Sequence, residues 1–157
     1  MTRLVVVAER ETPCQLAWHF TDGQHLRDRR PLPPDGETLR HDGTLVLCKM
    51  GLHASVRLID ALKYAPGPWL HRVECGGEIK HDADKLVCVE RTSLWRIDAT
   101  DMLLKFALQC ALDVAHLWEM PAIVKEFLET GNEALRAAAG ATAGDAARDA
   151  QDGRRTP

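Results

Sequence analysis

Over roughly the first hundred residues the apolar positions come in short alternating runs, and over the remainder they follow a helical period. Residues 3–8 (RLVVVA) form a short β-branched run, which predicts a strand. Residues 15–21 (QLAWHFT) alternate, with Leu16, Trp18 and Phe20 on one face and Ala17 and His19 on the other. The apolar run Leu45, Val46, Leu47 predicts a buried strand, and Gly51 breaks it with the conformational freedom a sharp turn needs. Ser55 is placed to cap a short helix with Leu58, Ile59, Leu62 and Ala65 on its apolar face. Pro66-Gly67-Pro68 must end that helix, because proline removes an N–H and disfavours helical backbone before it. Residues 69–75 (WLHRVEC) alternate again, with Trp69, His71, Val73 and Cys75 on one face, and Gly76-Gly77 closes the strand. The organising stretch, residues 45–78, therefore reads strand, turn, helix, turn, strand.

Residues 22–43 are polar and proline-rich and predict a loop with a short strand near Thr38 to Arg40. Residues 85–97 (KLVCVERTSLWRI) predict one long strand or two with a bend. Asp98 or Thr100 then caps a helix whose apolar stripe is Met102, Leu103, Phe106, Cys110, Val114 and Leu117. Pro121 starts a second helix that Gly131 ends, and Asn132 caps a third. Strands first and helices last predict an α+β fold, with a split or curved antiparallel-rich sheet followed by two to three C-terminal helices. Residues 1–139 are expected to form one domain. Residues 140–157 lack large apolar side chains and are expected to form a disordered tail.

Composition narrows the classes. The net charge of −3 argues against bulk electrostatic binding to nucleic acid, although Arg27, Arg29, Arg30 and Arg40 form a local basic exception. The five cysteines are odd in number, scattered and without a CxxC pair, which implies a reducing, cytoplasmic compartment. No run approaches the roughly 20 apolar residues of a membrane span, and residues 1–11 do not read as a signal peptide. Cys48 with His53, Cys75 with His81, and Cys88 match no zinc spacing, so no metal is expected.

Across residues 15–139 the chain resembles a family of small phage and prophage proteins. The pieces AWHF, HDGTLVLC, GLHAS, DALKYAPG, the RVE strand, DKLV, RIDA, CALDVAHLW, FLETG and ALRAAA carry the likeness. More distantly, GLHASVRLIDALKYA followed by WLHRVECGGE resembles the middle of an ADP-ribosyltransferase domain. Gly51, His53, Ala54, Ala61, Tyr64 and Gly76 stand at the matching places. AWHF looks like the first-strand motif that carries a histidine, here His19, and VCVERTSLWRID is similar to the strand that carries the catalytic glutamate, here Glu90.

That second resemblance implies an NAD-type site. His19 would hydrogen-bond a ribose, and His53 would pack on the nicotinamide, where a histidine is similar to the tRNA 2′-phosphotransferase branch. Tyr64 would pack beneath the site, with Gly51 and Ser55 completing the cofactor contacts. Glu90 would polarise a ribose hydroxyl and stabilise an oxocarbenium-like transition state. The chain departs from the pattern at Phe20-Thr21, where the family carries Gly-Ser/Thr, so a degenerate site is one expectation. Two functions follow. One is a phage- or prophage-type accessory protein on an ADP-ribosyltransferase-like scaffold that binds NAD or another nucleotide. The alternative is a non-enzymatic modulator that binds a host protein, such as a defence or transcription component. The first requires His19, His53 and Glu90 to converge on one cleft.

Overall fold

The computed structural model describes residues 14–152; the strand expected over residues 3–8 and the last five residues of the expected tail lie outside the described residues. Among the described residues the fold is α+β, with an open antiparallel sheet of five strands and four helices. The chain divides into two compact units, Met1–Ala99 and Thr100–Pro157, where the sequence pattern suggested a single domain over residues 1–139.

The first unit is built on a long hairpin. Strand β4 (Trp69–His81) runs antiparallel to β5 (Leu86–Asp98), and a tight turn joins them. Strand β1 (Gln15–Thr21) pairs with the free edge of β4, with His19 opposite His71 and Ala17 opposite Val73. Two short strands, β2 (Thr38–Arg40) and β3 (Leu52–Ala54), pair with β5. Beyond β3, Ser55 exchanges two backbone hydrogen bonds with Trp18 at 2.7 and 2.9 Å, which ties the segment back to β1. The core these strands enclose is Ala17, Ala54, Val73, Cys75, Leu86 and Cys88, against which Leu52 and Ile79 pack.

Several sequence expectations need correction here. Gly76-Gly77 does not end β4; it lies at a register shift between Gly76 and Ile79, and Gly77 takes a left-handed φ of 71°. An extra residue there bends the strand without ending its pairing. Leu45 to Leu47 is not a strand: Val46 bridges Met50 in a tight turn, and Leu45 is buried by closing over Gly51 and Val87. Ser55 caps nothing. It is buried by its pairing with Trp18, and Arg57 holds the N-cap position of helix α1 (Leu58–Leu62) without a side-chain cap. The apolar face expected of α1 is also turned out. Leu58 and Ile59 are exposed, while Asp60 and Ala61 are buried. Asp60 tolerates this because Lys63, at 3.1 Å, and Arg57, at 3.6 Å, accompany its carboxylate.

The second unit holds α2 (Thr100–Asp113), α3 (Ala122–Thr130) and α4 (Arg136–Asp152). Gly131 ends α3 in the left-handed region, its N–H bonded to the Phe127 carbonyl at 2.8 Å. The Asn132 side chain accepts the Ala134 N–H at the turn before α4. Residues 140–152, which composition alone would leave as a tail, continue α4. Alanine loses little entropy in a helix, so a run of it stays helical without burying large side chains. The stripe expected to be the buried face of α2 stands largely outward, with Met102, Phe106 and Leu117 exposed. Leu104, Leu108 and Leu112 are the half-buried row instead.

Gly51 offers a direct test of the close packing over β5. Its φ is +114°, and a Cβ there would come within 2.4 Å of Val87 Cγ2 and 2.7 Å of Leu45 Cδ2. Gly51→Ala is expected to cost roughly 2–5 kcal/mol, from left-handed strain plus overpacking. Gly36→Ala is the control, since Gly36 has a φ of +87° and open space around it. It is expected to lose only the roughly 1–2 kcal/mol of strain. Urea unfolding of both variants measures the difference, and equal losses would contradict a packing constraint at Gly51.

Candidate functional site

The register of the sheet gathers polar side chains that lie far apart in sequence. His19 and His71 face each other across β1 and β4 with ring centroids 6.2 Å apart. Arg91 stands opposite Cys75 on the β4 side of β5 and opposite Leu39 on the β2 side. Ser93 lies two residues further along β5, opposite Val73. Residues 22–37 fold over this face as a small looped hairpin: the Leu26 N–H bonds the Arg30 carbonyl at 2.8 Å and the Leu32 N–H bonds the Gln24 carbonyl at 2.9 Å. Leu26, Leu32 and Pro33 form its apolar underside. With Glu37, Leu39, Thr21, His19, His71, Arg91 and Ser93 they line a cavity of about 20 Å³, room for about one water molecule.

A hydrogen-bonded chain runs along one wall of the cavity. An Asp35 carboxylate oxygen can only accept, so the Ser93 hydroxyl donates to it at 2.9 Å. Ser93 Oγ then accepts from His71 Nδ1–H at 3.1 Å, which leaves His71 Nε2 to accept from the Thr21 hydroxyl at 2.9 Å. The Gly23 N–H closes the chain on Thr21 Oγ1 at 3.1 Å. The donor inventory therefore places a proton on His71 Nδ1, and the lowered pKa of the ring leaves Nε2 bare to accept from Thr21. Burial, with Arg96 and Arg91 nearby, pushes its pKa down to about 4, and Asp35 opposes that shift. The same network fastens the loop, through Asp35, to the sheet. At the loop's start, Asp22 accepts the N–H groups of Gln24 and His25, which lowers its own carboxyl pKa to about 2.

The opposite wall is less satisfied. Arg91 is only 6 % exposed. Its one hydrogen bond among the described residues goes to the His53 carbonyl, and it makes no ion pair there. Desolvation lowers its pKa despite the thiols of Cys75 and Cys88 nearby. The His19 ring has no hydrogen-bond partner among the described residues, and burial together with the Arg91 charge holds it well below the ordinary histidine value.

The residues that the resemblance singled out do not converge. His19 lines the cavity, but Glu90 does not. Neighbouring side chains on a strand point to opposite faces, so with Arg91 turned toward His19 the Glu90 carboxylate faces away. It lies against Gly76 and pairs with Arg40 at 2.6 Å. The His53 imidazole accepts the Cys48 N–H at 3.0 Å and holds the turn over residues 48–51; only its carbonyl reaches Arg91. Gly51 and Ser55 are committed to backbone packing and pairing. Tyr64 fastens the end of α1 to the β4–β5 turn through its hydroxyl, which donates to Asp84 at 2.9 Å and accepts from Lys85 at 3.2 Å. The cavity of about 20 Å³ is smaller than a nicotinamide ring, and of the residues the resemblance assigned to NAD only His19 lines it. Thr21, His71, Arg91, Ser93 and Asp35 were not candidates from sequence. The available signals were Arg91 inside the apolar run of β5 and the phase that put His71 with Val73 and Cys75.

The neutral state of His71 predicts an acid-sensitive fold. A group whose folded pKa (about 4) lies below its unfolded value (6.5) binds fewer protons when folded. Its stabilisation is complete above the unfolded value and disappears as pH falls from 6.5 toward 4, a loss of up to roughly 3 kcal/mol. His19 adds in the same direction. Urea midpoints measured from about pH 7 down to about pH 4.5 are expected to fall, and more steeply for the native chain than for His71→Gln. Parallel profiles would show that His71 does not carry the effect.

Comparison with known proteins adds a family. No curated protein and no solved structure matches the chain. A family model described as a domain of unknown function (DUF7666) matches residues 23–105. The matched region takes in β2 to β5, with His71, Arg91 and Ser93, and leaves out β1 with His19 and Thr21. It covers more than half of the 157 residues, and the chain belongs to the DUF7666 family.

Proposed function

We propose that this chain acts by binding another protein and carries out no ADP-ribosyl transfer. The observation that carries this reading is the orientation of Glu90. Its carboxylate is turned to the opposite face from His19 and held by Arg40, so Glu90 is not placed to assist a reaction beside His19. The resemblance to small phage and prophage proteins supports an accessory role in which the partner is a host protein, such as a defence or transcription component.

The face of the sheet away from the cavity supports the same reading. Trp18 lies opposite Arg72, and Arg72 opposite Trp95, so the three form one row. The Trp18 and Trp95 rings meet edge to face at 5.9 Å, and the Arg72 guanidinium lies 4.3 Å from the Trp18 ring centre. Leu16 and Ile97 flank the row, and Trp95 is 42 % exposed. Tryptophan and arginine are the side chains that most often dominate binding energy at protein interfaces. Stacking on Trp18 also holds the Arg72 fork rigid, which reduces the entropy lost when it engages a carboxylate. A partner suited to this face offers an apolar depression for Trp95 and an acidic side chain for Arg72.

The test is capture of a host protein by the tagged full chain, identified by mass spectrometry, followed by titration of that purified partner. Trp95→Ala and Arg72→Ala are expected to retain cooperative unfolding and to weaken binding by roughly 30-fold or more each, the scale of an interface hot spot. A partner bound equally well by both variants would rule out this face. NAD titration of the native chain provides a separate check: heat of binding that disappears in His19→Ala would restore the nucleotide reading.

A further inference from the structure

The cavity beneath residues 22–37 has two kinds of wall. One is chemically complete, because each member of the Asp35–Ser93–His71–Thr21 chain has its partners. The other carries two donors without acceptors. A guanidinium has five N–H donors; Arg91 uses one nitrogen on the His53 carbonyl and is itself a lining residue of the cavity. His19 lines the same space and makes no hydrogen bond among the described residues. The only buried side-chain nitrogen sealed off without a partner among the described residues belongs to His41, elsewhere. The free nitrogens of Arg91 and His19 are therefore within reach of something the size of a water molecule.

A buried cation with no counterion is costly, because the low-dielectric interior does not replace the solvation it has lost. The groups around Arg91 do not neutralise it. His19 and His71 are imidazoles, Thr21 and Ser93 are hydroxyls, and Asp35 is engaged by Ser93 and by Arg96 at 3.6 Å. Glu37, at the exposed rim, makes no ion pair among the described residues. Cys75 is held protonated by its contact with Cys88 and by burial. Cys75 and the Arg91 charge lower the pKa of Cys88, but its thiol proton is placed on the Leu52 carbonyl at 3.2 Å.

The geometry points to a binding site for a small monatomic anion, chloride by size and abundance, coordinated by Arg91 and the His19 ring N–H and closed over by residues 22–37. The volume selects the ligand class. About 20 Å³ accommodates one water-sized particle, which admits a halide and leaves no room for a phosphate or a nucleotide without displacing the loop. Arg91 supplies charge and His19 a donor, while the half-buried Leu26 and Leu32 cover the site and reduce its solvation. The anion would complete the electrostatics of the sheet and lock the loop onto it. The site is independent of the protein-binding face, which uses the other side of the sheet.

Chloride itself is the probe, tested on the full chain at constant ionic strength with gluconate as the inert counterion. Because only the folded chain offers the site, replacing gluconate with about 100 mM chloride is expected to raise the melting temperature by roughly 5 °C. Chloride NMR of the native chain, which depends on no variant, is expected to show line broadening that bromide competes away. Arg91→Met is expected to lose both responses, whereas His19→Phe keeps the fold and weakens chloride by roughly 10-fold, the scale of one hydrogen bond to a charged group. Identical melting in the two salts with no line broadening would overturn the proposal. So would a Glu37→Gln variant that becomes chloride-responsive while the native chain does not, since Glu37 would then be the internal counterion.

Discussion

The Arg91 guanidinium is almost wholly buried in the first compact unit and, among the described residues, hydrogen-bonds one acceptor, the His53 carbonyl. That contact links β5 to β3 by a route separate from their backbone ladder. Burial depresses the pKa values of both His19 and His71, and the Arg91 charge adds to it, joined at His71 by Arg96. Neutral imidazoles then become available as directional donors and acceptors. The acceptor-only Asp35 carboxylate sets the orientation of the Ser93 hydroxyl and the proton on His71 Nδ1, and the neutrality of the ring lets the Thr21 hydroxyl donate to Nε2. A neutral residue at position 91 would remove this field from both rings.

The loop over residues 22–37 is consequently a structural part of the sheet. Asp22 initiates it by accepting two backbone N–H groups, the Gly36 N–H returns it to the Ser93 carbonyl at 2.7 Å, and Asp35 ties it to the buried network. Gly23 allows it to start close to the sheet, since a Cβ there would lie 2.4 Å from the Trp69 ring. The face beneath the loop is closed, while the face carrying Trp18, Arg72 and Trp95 leaves large side chains in solvent. The two faces thus suit different roles: an enclosed polar site on one, and on the other a rigid aromatic–arginine row of the kind that binds a macromolecular surface.

Much of the fold was legible from the chain. The alternation in residues 15–21 and 69–75 matched β1 and the first half of β4, including the phase that puts Ala17 with His19 and His71 with Val73 and Cys75. Residues 85–97 formed a single strand. Proline and glycine at 66–68, 121 and 131 marked real ends, because each acts through its own backbone. Three of the differences share one cause. Leu45 to Leu47, the face of α1 and the stripe of α2 were read from apolarity alone, and apolarity states a preference for burial without naming what covers the residue. Gly76-Gly77 was taken as an end because a sequence does not reveal whether the neighbouring strand continues past a bulge.

The candidate site divides along the same line. Sequence selected His19 and identified a histidine and a glutamate on later strands, but a one-residue difference in strand phase reverses which face a side chain occupies. That difference separates Glu90 from Arg91. By itself the sequence determined the strands-then-helices order and most of the element types and turns, because these depend on local backbone chemistry and on period; residues 45–47, 76–77 and 140–152 are the exceptions. Only the tertiary structure decided that Thr21, His71, Arg91 and Ser93 share one cavity, that Glu90 faces the other way, and that His53 contributes a carbonyl where a ring was expected. Those outcomes depend on register between strands up to about seventy residues apart, and the free energy that sets register is spread over the whole sheet.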